Sequence, residues 1–222
     1  MGLIADIFKL WSRYHNVFLL GLWGTIWLSA ITVTIGTVIG TLIALLRMAK
    51  IKAVDKVLAA YIGVIRGTPS LLQLYFFWLA LPKVLPFKMS DTACIIVALI
   101  VNASAYVAEV IRAGIQAVDK GQTEAAKSLG MSDINMMRYI ILPQAIKNIL
   151  PALGNEFIVM TKTTSLASTF FVGELMTSYK TVQSTTYLSI PSLTIVGIIY
   201  YILTCVLTKA LAAFERRLKA SD

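Results

Sequence analysis

Side chains that bind metals or form disulfides are scarce in this chain. Histidine occurs once, at His15, and cysteine twice, at Cys94 and Cys205. Neither a multi-histidine metal site nor a disulfide framework is therefore expected. Both cysteines lie in apolar runs, where a free thiol behaves as a small hydrophobe. The phosphate-binding pattern G-x4-G-K-[S/T] is also missing, so we expect no metal, no catalytic residue and no ATPase site in this chain.

Charge is missing from two long stretches. No Asp, Glu, Lys or Arg occurs between Arg13 and Arg47, or between Lys180 and Lys209. Each stretch exceeds the roughly 20 residues that cross about 30 Å of hydrocarbon. Hydrophobic residues make up 58% of the chain, against about 45–50% in soluble domains, and the mean hydropathy is +0.78. The sequence predicts one all-α integral membrane domain in a lipid bilayer.

The apolar runs predict five membrane helices, roughly 17–46, 57–80, 90–112, 143–167 and 187–210. Glu156 and Lys162 interrupt the fourth run. Before the first run, apolar residues recur at helical spacing over residues 1–16, which predicts an interfacial amphipathic helix. An unstructured tail is the alternative. No A-x-A-like site follows a short apolar run near the start, which argues against a secretory signal peptide.

Basic residues predict the orientation of the chain. The net charge is +9, but Lys and Arg collect at the ends of apolar runs rather than in one patch, so we expect no nucleic acid partner. With a cytoplasmic C-terminus, thirteen basic residues lie inside and five outside, while Arg66 and Lys162 lie within spans. The positive-inside rule therefore predicts an outer N-terminus, an inner C-terminus and a cytoplasmic loop at 113–142.

That loop contains a polar, helix-forming segment. Residues 122–129 are mostly good helix formers, and Gly130 suits the position just after a helix. Ser132 suits the N-cap of a second short helix running to about residue 141, and Pro143 suits the first turn of the fourth span. We expect a helix, a glycine corner and another helix that leads into the membrane. An ordinary amphipathic helix lying on the membrane surface is the alternative.

Several motifs resemble those of ATP-binding cassette (ABC) importer permeases. The spacing E-A-A-x3-G-x9-I-x-L-P, from Glu124 to Pro143, resembles their cytoplasmic coupling motif. R-G-T-P at 66–69, followed by L-L-Q-L at 71–74, is similar to a signature of the polar amino acid uptake family. The resemblance covers about residues 21–214, with further similar segments at 105–109, 112–114, 142–145, 151–157, 162–166 and 174–175.

The resemblance implies a type I ABC importer permease in a bacterial inner membrane. The transmembrane domain would span 21–214, followed by a cytoplasmic tail at 215–222. The implied partners are an ABC ATPase dimer that holds the ATP, a second permease subunit (identical or a paralogue) and an extracytoplasmic amino-acid-binding protein. The chain itself would hold no cofactor and would carry a small polar amino acid. The expected ATPase-coupling residues are Glu124, Ala125, Ala126, Leu129 and Gly130.

Ionisable residues inside membrane spans are candidates for function because they are costly to bury there. Arg66 adjoins Gly67, Thr68 and Pro69, a combination that breaks a helix. Broken helices near the middle of transporters hold charged substrate groups. Arg66 or the broken turn is therefore a candidate for binding the amino acid carboxylate. A structural ion pair between Arg66 and Glu109 is the alternative.

Other polar residues of the spans complete the candidate pathway. Asn102, Tyr106 and Glu109 share one helical face. Glu109 can meet a substrate ammonium, pair with Lys162 or lie near the inner mouth. The hydroxyls of the fourth span either line the pathway or serve close helix packing. Thr163 stands where family members often carry an acidic residue, which weakens a claim of specificity for arginine or lysine unless Glu156 supplies the negative charge instead. The remaining candidates are Gln73, Glu156, Lys162, Thr164 and Ser165.

Two other functions are compatible with a membrane domain of this size. One is a secondary transporter or channel that works without ATP, although the five spans show no convincing inverted repeat. The other is an assembly subunit that moves no solute. A G-x3-G pattern at Gly36 and Gly40 in the first span is compatible with close helix contact and does not distinguish these functions.

Overall fold

The computed structural model describes residues 2–49 and 51–219, and this part of the chain contains no β-strand. A π-helical turn, Met137–Ile141, joins α6 to α7, and a 3-10 helix, Thr164–Phe170, extends α7. The α-helices are α1 (Leu3–Met48), α2 (Lys52–Gly67), α3 (Ser70–Val84), α4 (Asp91–Gln116), α5 (Lys120–Ser128), α6 (Asp133–Met136), α7 (Leu142–Thr163), α8 (Leu175–Thr186) and α9 (Ser189–Lys219).

Among the described residues, three helices are long and apolar enough to cross a membrane, namely α1, α4 and α9. The second predicted span consists of α2 and α3, which are bent by 112° at a short break, so the number rises to four if the pair forms one span. The fourth predicted span corresponds to α7 and the 3-10 helix. Polar and charged residues make α7 less apolar, and the number of five spans stays a prediction.

The predicted N-terminal amphipathic helix is part of a longer helix, because α1 continues without a break through residue 16. Its residues Ile7, Leu10 and Tyr14 belong to an apolar cluster with side chains of α8 and α9, such as Val182 and Ile195. Protein therefore covers much of this apolar face. At the other terminus α9 continues to residue 219, so the described part of the predicted tail is helical.

α1 and α4 form the centre of the fold. A Cβ atom at Gly36 would lie 2.7 Å from the Cβ of Ala103, and one at Gly40 would lie 2.7 Å from the Ser104 carbonyl oxygen. The two helices thus approach closely where α1 has no side chains. This confirms the helix contact expected from the G-x3-G pattern. α4 is the most buried of the three apolar helices, and α2, α3 and α7 pack around it.

The break between α2 and α3 lies at Thr68 and Pro69, as the sequence predicts. Proline has no N–H and disfavours helical backbone at the preceding residue, and Thr68 is extended, with φ −119° and ψ 151°. Ending a helix leaves backbone carbonyls without their usual helical partners. In hydrocarbon such groups need another partner, because water is absent.

Gln73 supplies that partner. Its Nε2 donates to the Ile65 carbonyl at 2.7 Å, the Thr68 carbonyl at 3.1 Å and the Thr68 hydroxyl at 2.9 Å. Its Oε1 accepts from Asn102 Nδ2 at 2.8 Å. Gln73 and Asn102 are buried. The Gln73 amide therefore satisfies the free carbonyls at the end of α2 and connects the break to Asn102 of α4 by a hydrogen bond.

We expect replacement of Gln73 by leucine to destabilise the protein. A leucine side chain at this position would leave the Ile65 and Thr68 carbonyls without the Gln73 donor, and the Asn102 amide nitrogen would keep only the Ser70 hydroxyl at 3.4 Å. Each buried unsatisfied group costs about 1–3 kcal/mol. Gln73→Leu should therefore lower the thermal unfolding temperature of the purified complex in detergent by several degrees. Gln183→Leu on α8 is the matched control, because the half-buried Gln183 side chain makes no hydrogen bond to the described residues. Equal unfolding temperatures for the two variants would contradict this role.

Candidate functional site

Arg66 lies at the end of α2, beside one face of α4. Its guanidinium carbon lies 5.5 Å from the centroid of the Tyr106 ring, which is within cation–π range. Its Nη1 lies 3.5 Å from Glu109 Oε1. The structure therefore brings together three of the predicted pathway residues. The ion pair considered from the sequence is present, and 41% of the Arg66 side chain is still exposed.

Glu109 has a closer partner than Arg66. Arg112, one turn further along α4, donates from Nε to Glu109 Oε2 at 2.9 Å and from Nη2 to Oε1. This is a two-pronged contact, the strong geometry for an arginine and a carboxylate. Both Glu109 oxygens are thus occupied by Arg112, and the alternative pairing of Glu109 with Lys162 is not found among the described ion pairs. Two guanidinium groups share one carboxylate.

Glu156 lies on α7 and is 8% exposed. Among the described residues it makes no hydrogen bond and no ion pair. A buried carboxyl group without a partner is costly in a low-dielectric surrounding. The carboxyl group of Glu156 is therefore an unsatisfied feature of the isolated chain.

The hydroxyl groups in the polar segment of the fourth predicted span donate mainly to backbone carbonyls of the same segment. Thr163 donates to the Val159 carbonyl at 3.1 Å, Thr164 to the Thr161 carbonyl at 2.9 Å and Ser165 to the Lys162 carbonyl at 2.6 Å. Bonds of this kind satisfy hydroxyl donors inside a helix. They agree with the packing alternative for Thr164, which is fully buried. The side chain of Lys162 is exposed.

The remaining predicted pathway residues belong to the break itself. Gly67, Thr68 and Pro69 form it, and Gln73 and Asn102 close it. The amides of Gln73 and Asn102 are buried and bonded to protein groups, so in this structure they hold the break in place.

A buried carboxylate that the sequence did not single out as a site residue anchors α8. Glu174 is the N-cap of α8 and accepts bonds from the backbone N–H groups of Met176 at 2.8 Å and Thr177 at 2.7 Å, and from the Tyr200 hydroxyl at 3.0 Å. It is fully buried and joins α8 to α9. Glutamate is not among the preferred N-cap residues, so local sequence gives no signal for this role.

The loop between α4 and α7 has the predicted helix–corner–helix form. Gly130 adopts φ +73°, which glycine tolerates without steric cost. Its N–H donates to the Lys127 carbonyl at 2.9 Å, and the Met131 N–H donates to the Ala126 carbonyl at 3.1 Å. This is the Schellman arrangement of a helix end. The predicted role of Gly130 as the residue that ends α5 is confirmed.

α5 presents only part of the predicted coupling set to the outside. Glu124, Ala125 and Leu129 are exposed, and Leu129 is 82% exposed. Ala126 instead is 3% exposed and packs with Met136 and other apolar residues of the loop. The helical period accounts for this division, because adjacent residues of a helix point in different directions.

The second short helix begins where predicted, since the Ser132 hydroxyl accepts from the Asn135 N–H at 3.3 Å. It does not end before the span, because α6, the π-helical turn and α7 follow one another directly. In the turn, the Leu142 N–H bonds to the Met137 carbonyl. A π-helical turn is wider than an α-helical one, and Pro143, which has no N–H to donate, follows it at the start of α7.

Comparison with known proteins agrees with this architecture. Residues 36–220 match the family described as binding-protein-dependent transport system inner membrane component. The arginine transport system permease protein ArtQ of Bacillus subtilis (strain 168) is 39% identical over 202 residues, which cover 91% of this chain and 92% of ArtQ. A putative glutamine transport system permease protein GlnP of Rickettsia bellii (strain RML369-C) is 39% identical over 193 residues, 87% of this chain and 88% of GlnP.

A solved structure extends the similarity to the fold. The crystal structure of an amino acid ABC transporter with histidines contains a chain that is 47% identical. The two chains superimpose with a TM-score of 0.89, over 93% of this chain and 96% of the other. The fold of this chain is thus one already known from an amino acid ABC transporter. This chain belongs to the family of binding-protein-dependent transport system inner membrane components, the permease subunits of type I ABC importers.

Proposed function

We propose that this chain carries small polar amino acids into the cytoplasm as the permease subunit of an ABC importer. The observation that carries the proposal is the agreement in fold and sequence with a chain of an amino acid ABC transporter over 93% of this chain. The names of the relatives point the same way, since ArtQ is an arginine permease and GlnP a putative glutamine permease.

The proposed assembly contains further subunits. An ABC ATPase dimer supplies ATP hydrolysis, a second permease subunit completes the pathway, and an extracytoplasmic binding protein delivers the amino acid. The chain lies in a bacterial inner membrane with its N-terminus outside and its C-terminus inside. This orientation places α5, with its exposed residues Glu124 and Ala125, and the exposed Leu129 that follows it on the ATPase side. An apolar side chain as exposed as Leu129 on a polar loop supports contact with a partner.

The same contacts give α5 a mechanical link to the candidate pathway. Motion of α5 passes through the Gly130 corner to α6, because the corner is held by two backbone hydrogen bonds. From α6 the helical backbone runs through the π-helical turn into α7, which carries Glu156. In the proposed alternating-access cycle, ATPase closure moves α5, and α7 shifts relative to Arg66 and Glu109.

Uptake into proteoliposomes tests the proposed function. The purified complex with its co-purifying subunits is reconstituted with the binding protein outside, and radiolabelled L-arginine and L-glutamine are offered separately. We expect uptake of at least one of them only when ATP is enclosed in the vesicles, because the proposed ATPase dimer lies on the inner side and drives the transport cycle.

Vesicles that enclose ADP in place of ATP are the control for this measurement. Uptake that does not depend on ATP would contradict the proposal and favour a secondary transporter or channel. An intact complex that moves neither these amino acids nor other polar ones would contradict it as well, and would favour an assembly subunit.

Gly130 offers a separate test of coupling. At φ +73° an L-residue is strained by about 1–2 kcal/mol, and β-branched residues are poorly suited to this conformation. Gly130→Val should therefore distort the corner and reduce ATP-driven uptake by about tenfold or more, which corresponds to about 1.4 kcal/mol. Basal ATPase activity of the assembled complex should fall less than uptake does.

Gly130→Asn is the matched variant, because asparagine adopts the left-handed conformation more readily. No atom outside the neighbouring residues lies within 4 Å of a Cβ placed at this position, so the two variants differ mainly in backbone preference. We expect Gly130→Asn to retain most of the uptake. Normal uptake by Gly130→Val would count against a coupling role for this corner.

A further inference from the structure

A cavity lies where the end of α1, the loop after α4 and the start of α7 meet. Its volume is about 550 Å³, and its walls come from Met48 of α1, Lys127 of α5, side chains of α6 and the π-helical turn, and Leu142 of α7. Sites for small ligands have volumes of about 300–1,000 Å³. The cavity is therefore large enough to hold a headgroup or a small molecule.

Two of its walls place the cavity at the membrane surface. Met48 lies two residues past the first predicted span, 17–46, and Leu142 directly precedes the fourth, 143–167. In the proposed orientation both residues are at the inner ends of spans. The cavity therefore lies at the depth of the lipid headgroups, just outside the roughly 30 Å of hydrocarbon.

The cavity carries positive charge that the described residues do not neutralise. Lys127 and Arg138 are exposed, and among the described residues neither side chain forms an ion pair or donates a hydrogen bond. The Arg138 guanidinium carbon lies 5.5 Å from the ring centroid of its neighbour Tyr139, a contact that does not use the N–H donors of the guanidinium. Asp133 also lines the cavity, so two positive groups and one negative group leave a net charge of +1.

A smaller cavity that shares Met48 with this one provides a comparison. It is lined by Arg47, Asp55 and Arg112 among others. Arg47 Nε donates to Asp55 Oδ1 at 2.8 Å, and Arg112 is bound to Glu109. The positive groups of the smaller cavity are thus paired within the chain, whereas Lys127 and Arg138 are available to an anion from outside the chain.

Exposed apolar side chains lead from the larger cavity into the bilayer. Leu45 lies one turn before Met48 on α1, and Ile146 lies one turn after Leu142 on α7, so each continues the helical face of a cavity residue. All four side chains are exposed in this chain. The cavity therefore offers basic groups at headgroup depth and apolar contacts immediately below them, which is the arrangement that a phospholipid requires.

We propose that this cavity binds a phospholipid with a negatively charged headgroup from the inner leaflet. The phosphate contacts Lys127 and Arg138, and the acyl chains lie along Leu45 and Ile146. A singly charged headgroup such as that of phosphatidylglycerol neutralises the net charge of +1, whereas a zwitterionic headgroup does not. Basic pockets at the cytoplasmic ends of membrane helices favour anionic lipids for this reason. The inference rests on the proposed function for the orientation of the chain.

The lipid site is separate from the surface that we expect to contact the ATPase. Ala125 and Lys127 are two positions apart in α5, so their side chains point to nearly opposite sides of the helix, about 200° apart. Glu124, Ala125 and Leu129 do not line the cavity. A lipid in the cavity therefore contacts the loop from the membrane side and links it to the inner end of α1.

Native mass spectrometry of the delipidated permease–ATPase complex in detergent tests the proposal. The complex is titrated separately with phosphatidylglycerol, phosphatidylethanolamine and phosphatidylcholine that carry the same two oleoyl chains. We expect phosphatidylglycerol to bind at least about fivefold more tightly than either zwitterionic lipid, because each basic group near the headgroup contributes about fivefold in affinity.

Charge variants of the cavity should change this preference in both directions. Lys127→Gln and Arg138→Gln should each weaken phosphatidylglycerol binding about fivefold and leave phosphatidylcholine binding unchanged. Asp133→Asn removes the negative group and should strengthen phosphatidylglycerol binding. Arg217→Gln is the matched control, because it removes an exposed positive charge of α9 that does not line the cavity. It should keep the preference of the unaltered complex.

Cross-linking locates the bound lipid. Phosphatidylglycerol with a photoreactive acyl chain is incorporated into proteoliposomes of the complex, and we expect labelled peptides from the inner end of α1 and the start of α7. Millimolar inorganic phosphate should not displace the lipid, because it lacks the acyl chains that contact Leu45 and Ile146. Displacement by inorganic phosphate would overturn the lipid assignment and identify a site for free phosphate compounds.

Other results would also overturn the proposal. These are equal binding of the three lipids by the unaltered complex, an unchanged preference when Lys127→Gln and Arg138→Gln are combined, and cross-links confined to other helices. Release of the ATPase by either variant with an unchanged lipid preference, measured by size-exclusion chromatography, would assign the residue to the ATPase interface instead. ATP-driven uptake is measured on the same preparation. Its absence would reject the proposed function, whereas normal uptake without a lipid preference would reject only this inference.

Discussion

Inside hydrocarbon, every backbone N–H and C=O group needs a hydrogen-bond partner within the protein. This constraint determines how the fold can build a functional site within the membrane. The break between α2 and α3 places Arg66 at the end of a helix, and a break exposes carbonyl groups. The Gln73 amide donates hydrogen bonds to the carbonyls of Ile65 and Thr68 and accepts one from Asn102 of α4. The position of Arg66 against Tyr106 and Glu109 therefore depends on a hydrogen-bonded amide pair that is itself buried.

The hydrogen-bond partners of the charged side chains distinguish those that stabilise the fold from those that remain available to bind another group. Glu174 is fully buried, yet it receives two backbone N–H groups and a tyrosine hydroxyl, so it fixes α8 against α9. Glu109 and Arg112 satisfy each other. Arg66 and Glu156 remain incompletely paired, and charges of this kind inside a membrane are expected to serve function. The location of a charge in a span is thus less informative than the list of its partners.

The loop between α4 and α7, which we propose to face the ATPase, and the candidate pathway are parts of one continuous structure. A Schellman corner at Gly130 connects α5 to α6, and the helical backbone continues through a π-helical turn into α7. The sequence predicts the Gly130 corner and the Ser132 cap. A glycine just after a helix and a serine just before one are favoured by the backbone conformation and hydrogen bonds at those positions. It also predicts the break at Thr68 and Pro69, since the constraint on proline is a property of its own ring.

Local patterns therefore determined the membrane class, the family motifs, a close helix contact at Gly36 and Gly40, the end of α5 and the start of α6. Only the tertiary structure decided which polar residues are free. The sequence predicted Gln73 and Asn102 as pathway residues, and in the structure they are hydrogen-bonded to each other. Ala126 is buried against the rest of the loop. Glu174 caps α8, although no local pattern predicts that role. The physical reason is that a hydrogen-bond partner in these cases comes from a helix distant in sequence, and no spacing along one helix specifies which side chain of another will lie opposite.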